Sequence, residues 1–193
     1  MLGLPSTIIV FDTEYTSWEG AQERGWSGPN EYKEIVEMGA VRVETETPEF
    51  KELDSLQLLV KPVKNPKLSE YFTNLMGITQ EAVDIRGMSL AEAVKKFYTW
   101  SSTDTLYCWG FDGHLIGDNC KLIGTPFSFP LQRFKDVREL FSAHGIKTNK
   151  YMSSTIVEAF GVKKTKAGHN GLDDARTIVD GLRLLAARVD RKV

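Results

Sequence analysis

Residues 7–15, TIIVFDTEY, constrain this chain more than any other segment. The unbroken run Ile8, Ile9, Val10 and Phe11 reads as a strand covered on both faces, which puts it in the middle of a sheet with a layer on each side. The run ends at Asp12, with Glu14 two residues on. Side chains alternate along a strand, so the two acids share a side with Ile8 and Val10. A polar stretch containing Trp18 and Trp26 (16–32) leads to IVEMGAVRVE (35–44), and an acidic turn leads to LQLLVKP (56–62). Both read as strands. No helical segment separates the three, so an antiparallel meander is expected.

After Leu68 the pattern turns helical. A short helix runs through Leu75, and SLAEAVKKFYTWSS (89–102) reads as another, with Ser89 as its N-cap. TLYCWG (105–110) is a strand, 112–123 a helix, and FPLQRFKDV holds a further short strand; helices follow near 136–143 and 151–160. In the last helix Leu172, Ala175, Ile178, Val179, Leu182, Leu185 and Ala186 recur at helical spacing and form one apolar stripe. Strands in meander, then strands alternating with helices, define an α/β chain: a mixed five-stranded sheet flanked by helices, compatible with a ribonuclease-H-like fold. With 193 residues, 41% hydrophobic content and no repeat or linker, one domain over 1–193 is expected.

The Asp12–Glu14 pair repels itself and resists desolvation, whereas a magnesium ion would turn that cost into binding. The alternative is a strand end with solvated acids, and the buried run preceding it favours the metal reading. Asp112 follows TLYCWG and opens a helix. It can be an ordinary N-cap, or it can join the first pair, because ligand groups in open α/β sheets gather where strands end and helices begin. In HNGLDDAR, Asn170 and Asp173 resemble a capping box that starts the helix at Gly171. Asp174 then lies one turn in, and His169 just outside. His114 and His144 read as ordinary solvated or satisfied residues. Carboxylates holding two divalent ions roughly 4 Å apart suit in-line phosphodiester hydrolysis, and a neutral histidine can take the proton of the attacking water.

The net charge of −2 lacks the basic footprint of a protein that holds duplex nucleic acid over a broad surface, so any nucleic acid must be gripped locally. Cys108 and Cys120, in apolar settings without metal-ligand spacing, fit a reducing compartment. The start MLGLPSTIIVFD has neither a basic segment nor a cleavage site, and no stretch approaches membrane-spanning length, so a cytoplasmic location away from membranes is expected.

FDTE (11–14), GFD (110–112) and His169 with Asp174 five residues on resemble the three motifs of the DEDDh 3′-to-5′ exonucleases, in the same order and spacing. FDTEYTSWEG and HNGLDDAR resemble most the branch of the three-prime histone mRNA exonuclease, the enhanced-RNAi nucleases and bacterial sporulation-inhibitor relatives. The resemblance implies a ribonuclease-H-like fold. It also implies two magnesium ions, replaceable by manganese, held by Asp12, Glu14, Asp112 and Asp174, with His169 orienting or deprotonating the water. The substrate implied is the free 3′ end of single-stranded RNA or DNA; protein partners are unknown.

FTNLMGIT (72–79) resembles the family loop against the terminal nucleotide, with Met76 where threonine is frequent; Leu75 and Met76 would bed the last base, or simply pack a helix end. Thr13 can offer its backbone to the terminal 3′ hydroxyl, while its side chain is expected to project away from the metals. Trp18 and Trp26 can stack on bases or dock onto the protein's own surface. Lys163, Lys164 and Lys166 are candidates for the local phosphate grip. Two competing readings are an oligoribonuclease restricted to very short RNA and a silent nucleic-acid-binding or adaptor module; the latter usually shows a broken acidic set, and here every position is filled.

Overall fold

The computed structural model describes residues 2–165 and 168–190. Strands β1 (Thr7–Tyr15), β2 (Ile35–Glu44), β3 (Glu52–Leu59), β4 (Thr105–Cys108) and β5 (Phe134–Asp136) form one sheet in the order β3-β2-β1-β4-β5. The first three pair antiparallel, as the absence of intervening helices required, and β4 and β5 join in parallel. β1 is central and covered on both faces. Ile8 and Val10 pack against helix α6 (Gly171–Asp190), whose stripe Ala175, Ile178, Val179, Leu182, Leu185 and Ala186 is buried as the spacing predicts. Ile9 and Phe11 pack on the other side against α3 (Leu90–Ser101) and α4 (Asp112–Ile123) through Phe97 and Ile116. Two apolar layers sandwich one sheet, the mixed α/β architecture expected.

Ser89 caps α3 in a reciprocal capping box with Glu92. Other elements depart from the sequence reading. β3 begins at Glu52 and ends at Leu59, whereas the expected strand covers 56–62. It is an edge strand whose first half, residues 52–55, is largely exposed and carries a single apolar residue, Leu53, so it lacks apolar alternation. Val60 adds a single bridge to Met88, and Pro62, without an N–H, cannot extend the ladder. The expected strand 105–110 closes at Cys108, because Gly110 takes a positive φ of 95°. Residues Gln80–Arg86 form an unforeseen helix, α2, after α1 (Glu70–Met76); only Val83 in it is buried, so no stripe announces it. The helix expected at 151–160 is a 3-10 helix over Ser153–Phe160, and α5 (Val137–Ala143) completes the set. Among the described residues no helix is long and apolar enough to cross a membrane.

Two glycines let α6 touch the sheet. A Cβ on Gly39 in β2 would lie 2.0 Å from the backbone nitrogen of Leu172, and one on Gly171 would lie 3.0 Å from the carbonyl oxygen of Asp12. The first turn of α6 therefore rests directly on β1 and β2, and Gly39 is the register partner of Asp12. Gly39→Ala would push a methyl into helix backbone that cannot rotate away, and should destabilise the protein by about 3 kcal/mol. Chemical denaturation checks this; an unchanged midpoint would show that α6 does not sit against β2 as described.

Candidate active site

The C-terminal end of β1 presents Asp12 and Glu14 to the α6 side, and the first turn of α6 brings Asp174 to meet them. One carboxylate oxygen from each lies within 4.8 Å of the others. All three residues are buried, at 7%, 6% and 4% exposure. Asp174 Oδ2 accepts the backbone N–H of His169 at 3.1 Å, while its Oδ1 is buried with no hydrogen-bond partner among the described residues. A buried carboxylate oxygen without a donor is costly unless a cation satisfies it. Oxygen donors so crowded fit a hard divalent cation, and these three acids could hold one.

Asp112 stands apart from that trio. It is the first residue of α4 and not its cap: Phe111 occupies the N-cap position, without a side-chain capping bond. The Asp112 Oδ1 instead accepts the hydroxyl of Thr13 at 2.5 Å. The Thr13 side chain leaves β1 opposite Asp12 and Glu14, on the face that α4 covers, and there its hydroxyl steadies Asp112. Asp112 also exerts the largest charge effect on Asp12.

Burial and mutual repulsion raise the acids together. Asp12 is held well above its ordinary value, first by burial, then by Asp112, Glu14 and Asp174, with the Ser153 hydroxyl pulling the other way. Burial, then Asp174, Glu37 and Asp112, lift Glu14 to about 9. Asp112 reaches about 6 by burial, eased by the Thr13 hydroxyl, and Asp174 reaches about 6 by burial, eased by the His169 N–H and by Lys164. His169 lies at the exposed rim with a positive φ of 67°. Desolvation and then Lys164 lower its pKa, which favours the neutral imidazole. Among the described residues nothing hydrogen-bonds its ring.

Asn170 Oδ1 accepts the N–H of Asp173 at 3.1 Å, so the cap expected at the start of α6 is present on its asparagine side. The lysine cluster divides. Lys164 reaches over Gly168, where its Nζ would lie 2.3 Å from an added Cβ, and its charge acts on both His169 and Asp174. Lys163 lines a separate cavity of 230 Å³ with Val157, Thr177 and Arg183. Lys166 lies outside the described residues. Met76 lines a 320 Å³ cleft with Glu37, Gln57, Arg86 and Asn170, whereas Leu75 is exposed and does not line it. Trp26 docks on its own protein: its indole N–H reaches the Thr16 carbonyl at 3.1 Å, its ring meets Tyr15, and Lys33 sits 3.9 Å over it. Trp18 is half-buried, without a ring partner among the described residues.

Three neighbours of the acids were not legible as such. Phe111 is 72% exposed beside Asp112, with the Arg138 guanidinium 5.6 Å from its ring. The Ser153 hydroxyl acts on Asp12 from the polar run Ser153-Ser154-Thr155, far from it in sequence. Glu37 is buried on β2 directly opposite Glu14. The signal for it existed: alternation puts it on the same side as Gly39, Val41 and Val43, a core-facing position for an acid.

The RNase T exonuclease family matches residues 9–182, almost the whole chain. The chain belongs to this family. It is 27% identical over 183 residues to the 3′-5′ exoribonuclease 1 of Mus musculus, covering 89% of this chain and 50% of that protein. The probable 3′-5′ exonuclease KapD of Bacillus subtilis is 27% identical over 176 residues, covering 89% and 80%. The chain thus spans about half the length of the mammalian relative. Among solved structures, the nuclease domain of 3′hExo, a DEDDh family member bound to rAMP, superposes with a TM-score of 0.77 at 23% identity, covering 96% of this chain and 92% of that one. Exonuclease I of E. coli in complex with a dA16 oligonucleotide gives 0.68 at 12% identity, covering 97% and 42%. These likenesses confirm the fold, and the relatives match the branch that FDTEYTSWEG and HNGLDDAR resemble.

The raised pKa values have a sign. An acid held above its unfolded value binds its proton more tightly when folded, so the folded state loses stability as pH climbs from the unfolded value to the folded one. That window runs from 3.8 to about 6 for Asp112 and Asp174, and from 4.5 to about 9 for Glu14. The Tm in chelator should therefore decline between about pH 4 and about pH 9, and a divalent cation should remove most of the decline. Asp12→Asn should raise the Tm in chelator at alkaline pH and abolish the cation effect. A flat profile in chelator would contradict the buried, crowded state of these acids.

Proposed function

We propose that the chain is a 3′-to-5′ exonuclease that removes 5′-mononucleotides from the free 3′ end of single-stranded nucleic acid, RNA in preference to DNA. The observation that carries this reading is the convergence of Asp12, Glu14 and Asp174, with a carboxylate oxygen that has no partner among the described residues, beside His169 in a chain of the exonuclease family. Asp12, Glu14 and Asp174, joined by Asp112, would hold two magnesium ions, with manganese able to substitute. When bound, such ions supply Lewis-acid activation and neutralise charge on the reacting phosphate. His169, kept neutral by its lowered pKa, accepts the proton of the attacking water at a ring nitrogen. Lys164 offsets phosphate charge at the rim. Met76 and Leu75 offer apolar surface to the terminal nucleotide, and the exposed Phe111 ring can stack on a base. Two buried, unpaired thiols fit a cytoplasmic setting.

The test uses 5′-labelled RNA and DNA strands, with free or blocked 3′ ends, in magnesium, manganese or chelator. A ladder from free ends that vanishes in chelator, stronger on RNA, is the expected outcome. Internal cuts in blocked strands, binding without cleavage, or trimming confined to the shortest oligonucleotides would each replace the reading with another. Asp112→Ala should abolish turnover. His169→Asn should slow it by on the order of a hundredfold while substrate binding persists, and should remove an acid limb centred below the ordinary histidine value of about 6.5. Turnover unchanged in His169→Asn would take the histidine out of the mechanism.

A further inference from the structure

The site acids do not hold themselves in place. β1 fixes Asp12 and Glu14, and the Thr13 hydroxyl steadies Asp112, but Asp174 and His169 both depend on where α6 begins. That start is one constrained turn: the His169 N–H bonds Asp174 Oδ2, the Asp174 N–H bonds the Asn170 carbonyl, and Asn170 Oδ1 caps Asp173. These bonds are internal to the turn. They give it shape, and they do not tie it to the sheet.

Glu37 makes that tie. Its Oε2 accepts the N–H of Gly171, the first residue of α6, at 2.7 Å, and its Oε1 accepts the Gln57 amide of β3 at 2.9 Å. The residue is 2% exposed, and both oxygens are occupied. Gly39 and Gly171 let the turn approach the sheet, but glycine contacts limit only how near it comes. The Glu37 bond also sets where along β2 it sits. A carboxylate is favourable at a helix N-terminus, where the first N–H groups lack partners. Its placement opposite Glu14 nevertheless adds a further acid to a crowded site: Glu37 raises both Glu14 and Asp174. The reach of this acid to Gly171 and Gln57 is what its position in the crowded site provides.

We infer that Glu37 is a positioning residue for the hydrolysis: through Gly171 it locks the start of α6, and with it the Asp174 carboxylate and His169, over Asp12 and Glu14. The inference rests on the acid-cluster reading, and its test is built so that the two can fail separately. Glu37→Gln keeps the length and an oxygen for the Gly171 N–H, and the Gln57 amide can turn to match. Glu37→Asp keeps the charge and loses the reach.

Four quantities are measured in each variant: kcat, KM, the Mn²⁺ concentration at half-saturation without substrate, and amide exchange at Gly171. Glu37→Asp should exchange the Gly171 amide at least about tenfold faster, the loss expected when a bond to a charged acceptor is broken. It should need more Mn²⁺ and lose about a hundredfold in kcat with little change in KM, whereas Glu37→Gln should stay within roughly threefold of the parent. Gln57→Leu removes only the rear support of the carboxylate and should move the same quantities the same way by less, which keeps the test open if Glu37→Asp does not fold. Damage in Glu37→Gln with Glu37→Asp left intact would show that charge matters and position does not, and would overturn the proposal. Unaltered Gly171 exchange and Mn²⁺ binding in Glu37→Asp, or in Gln57→Leu where the aspartate variant is unfolded, would overturn the proposal. Exchange and Mn²⁺ binding need no turnover, so a parent protein without exonuclease activity would defeat the functional reading and still leave the role of Glu37 decided.

Discussion

Mutual repulsion among carboxylates buried at the end of one strand is the constraint around which the rest is arranged. Asp12 and Glu14 share a face because a strand alternates, and α6 lowers Asp174 onto the same spot. In an apolar setting such crowding favours protonation or a cation. The structure tolerates it by surrounding the acids with few but well-placed donors. The Thr13 hydroxyl serves Asp112, the His169 N–H serves one oxygen of Asp174, and Ser153 serves Asp12. The Asp174 oxygen that has no donor among the described residues marks where a bound cation would supply the compensation.

The central strand, the meander, the final helix and the acids on β1 were legible from the sequence because each rests on a periodicity that burial enforces. TIIVF cannot sit at a surface, and the stripe from Leu172 to Ala186 has one way to face a core. What was less legible rests on tertiary context. β3 is an edge strand, so solvent rather than a second layer meets its outer residues, and its polar half gave no alternation to read. α2 buries one side chain and depends on its Thr79 cap and its neighbours. The role of Thr13 followed from which helix covers the far face of β1, a fact that no local pattern contains.

The same division holds within the site. The motif acids and His169 were readable from spacing and resemblance, and the fold gathers their segments at one end of the sheet. The supporting groups were harder to see, because each acts through a hydrogen bond across a long sequence separation: Thr13 to Asp112, and Glu37 to Gly171. Lys164 separates from Lys163 for a related reason. Adjacent residues in an irregular segment can face different surroundings, and only one of the two comes within reach of the acids.

The most direct test of the account is anomalous diffraction from crystals of the protein soaked in Mn²⁺. The account predicts a peak bounded by Asp12, Glu14 and Asp174, in contact with Asp174 Oδ1. A second peak should lie toward Asp112, and both should disappear in Asp12→Asn. Saturating Mn²⁺ with no peak among these carboxylates, while ions bind elsewhere, would contradict it.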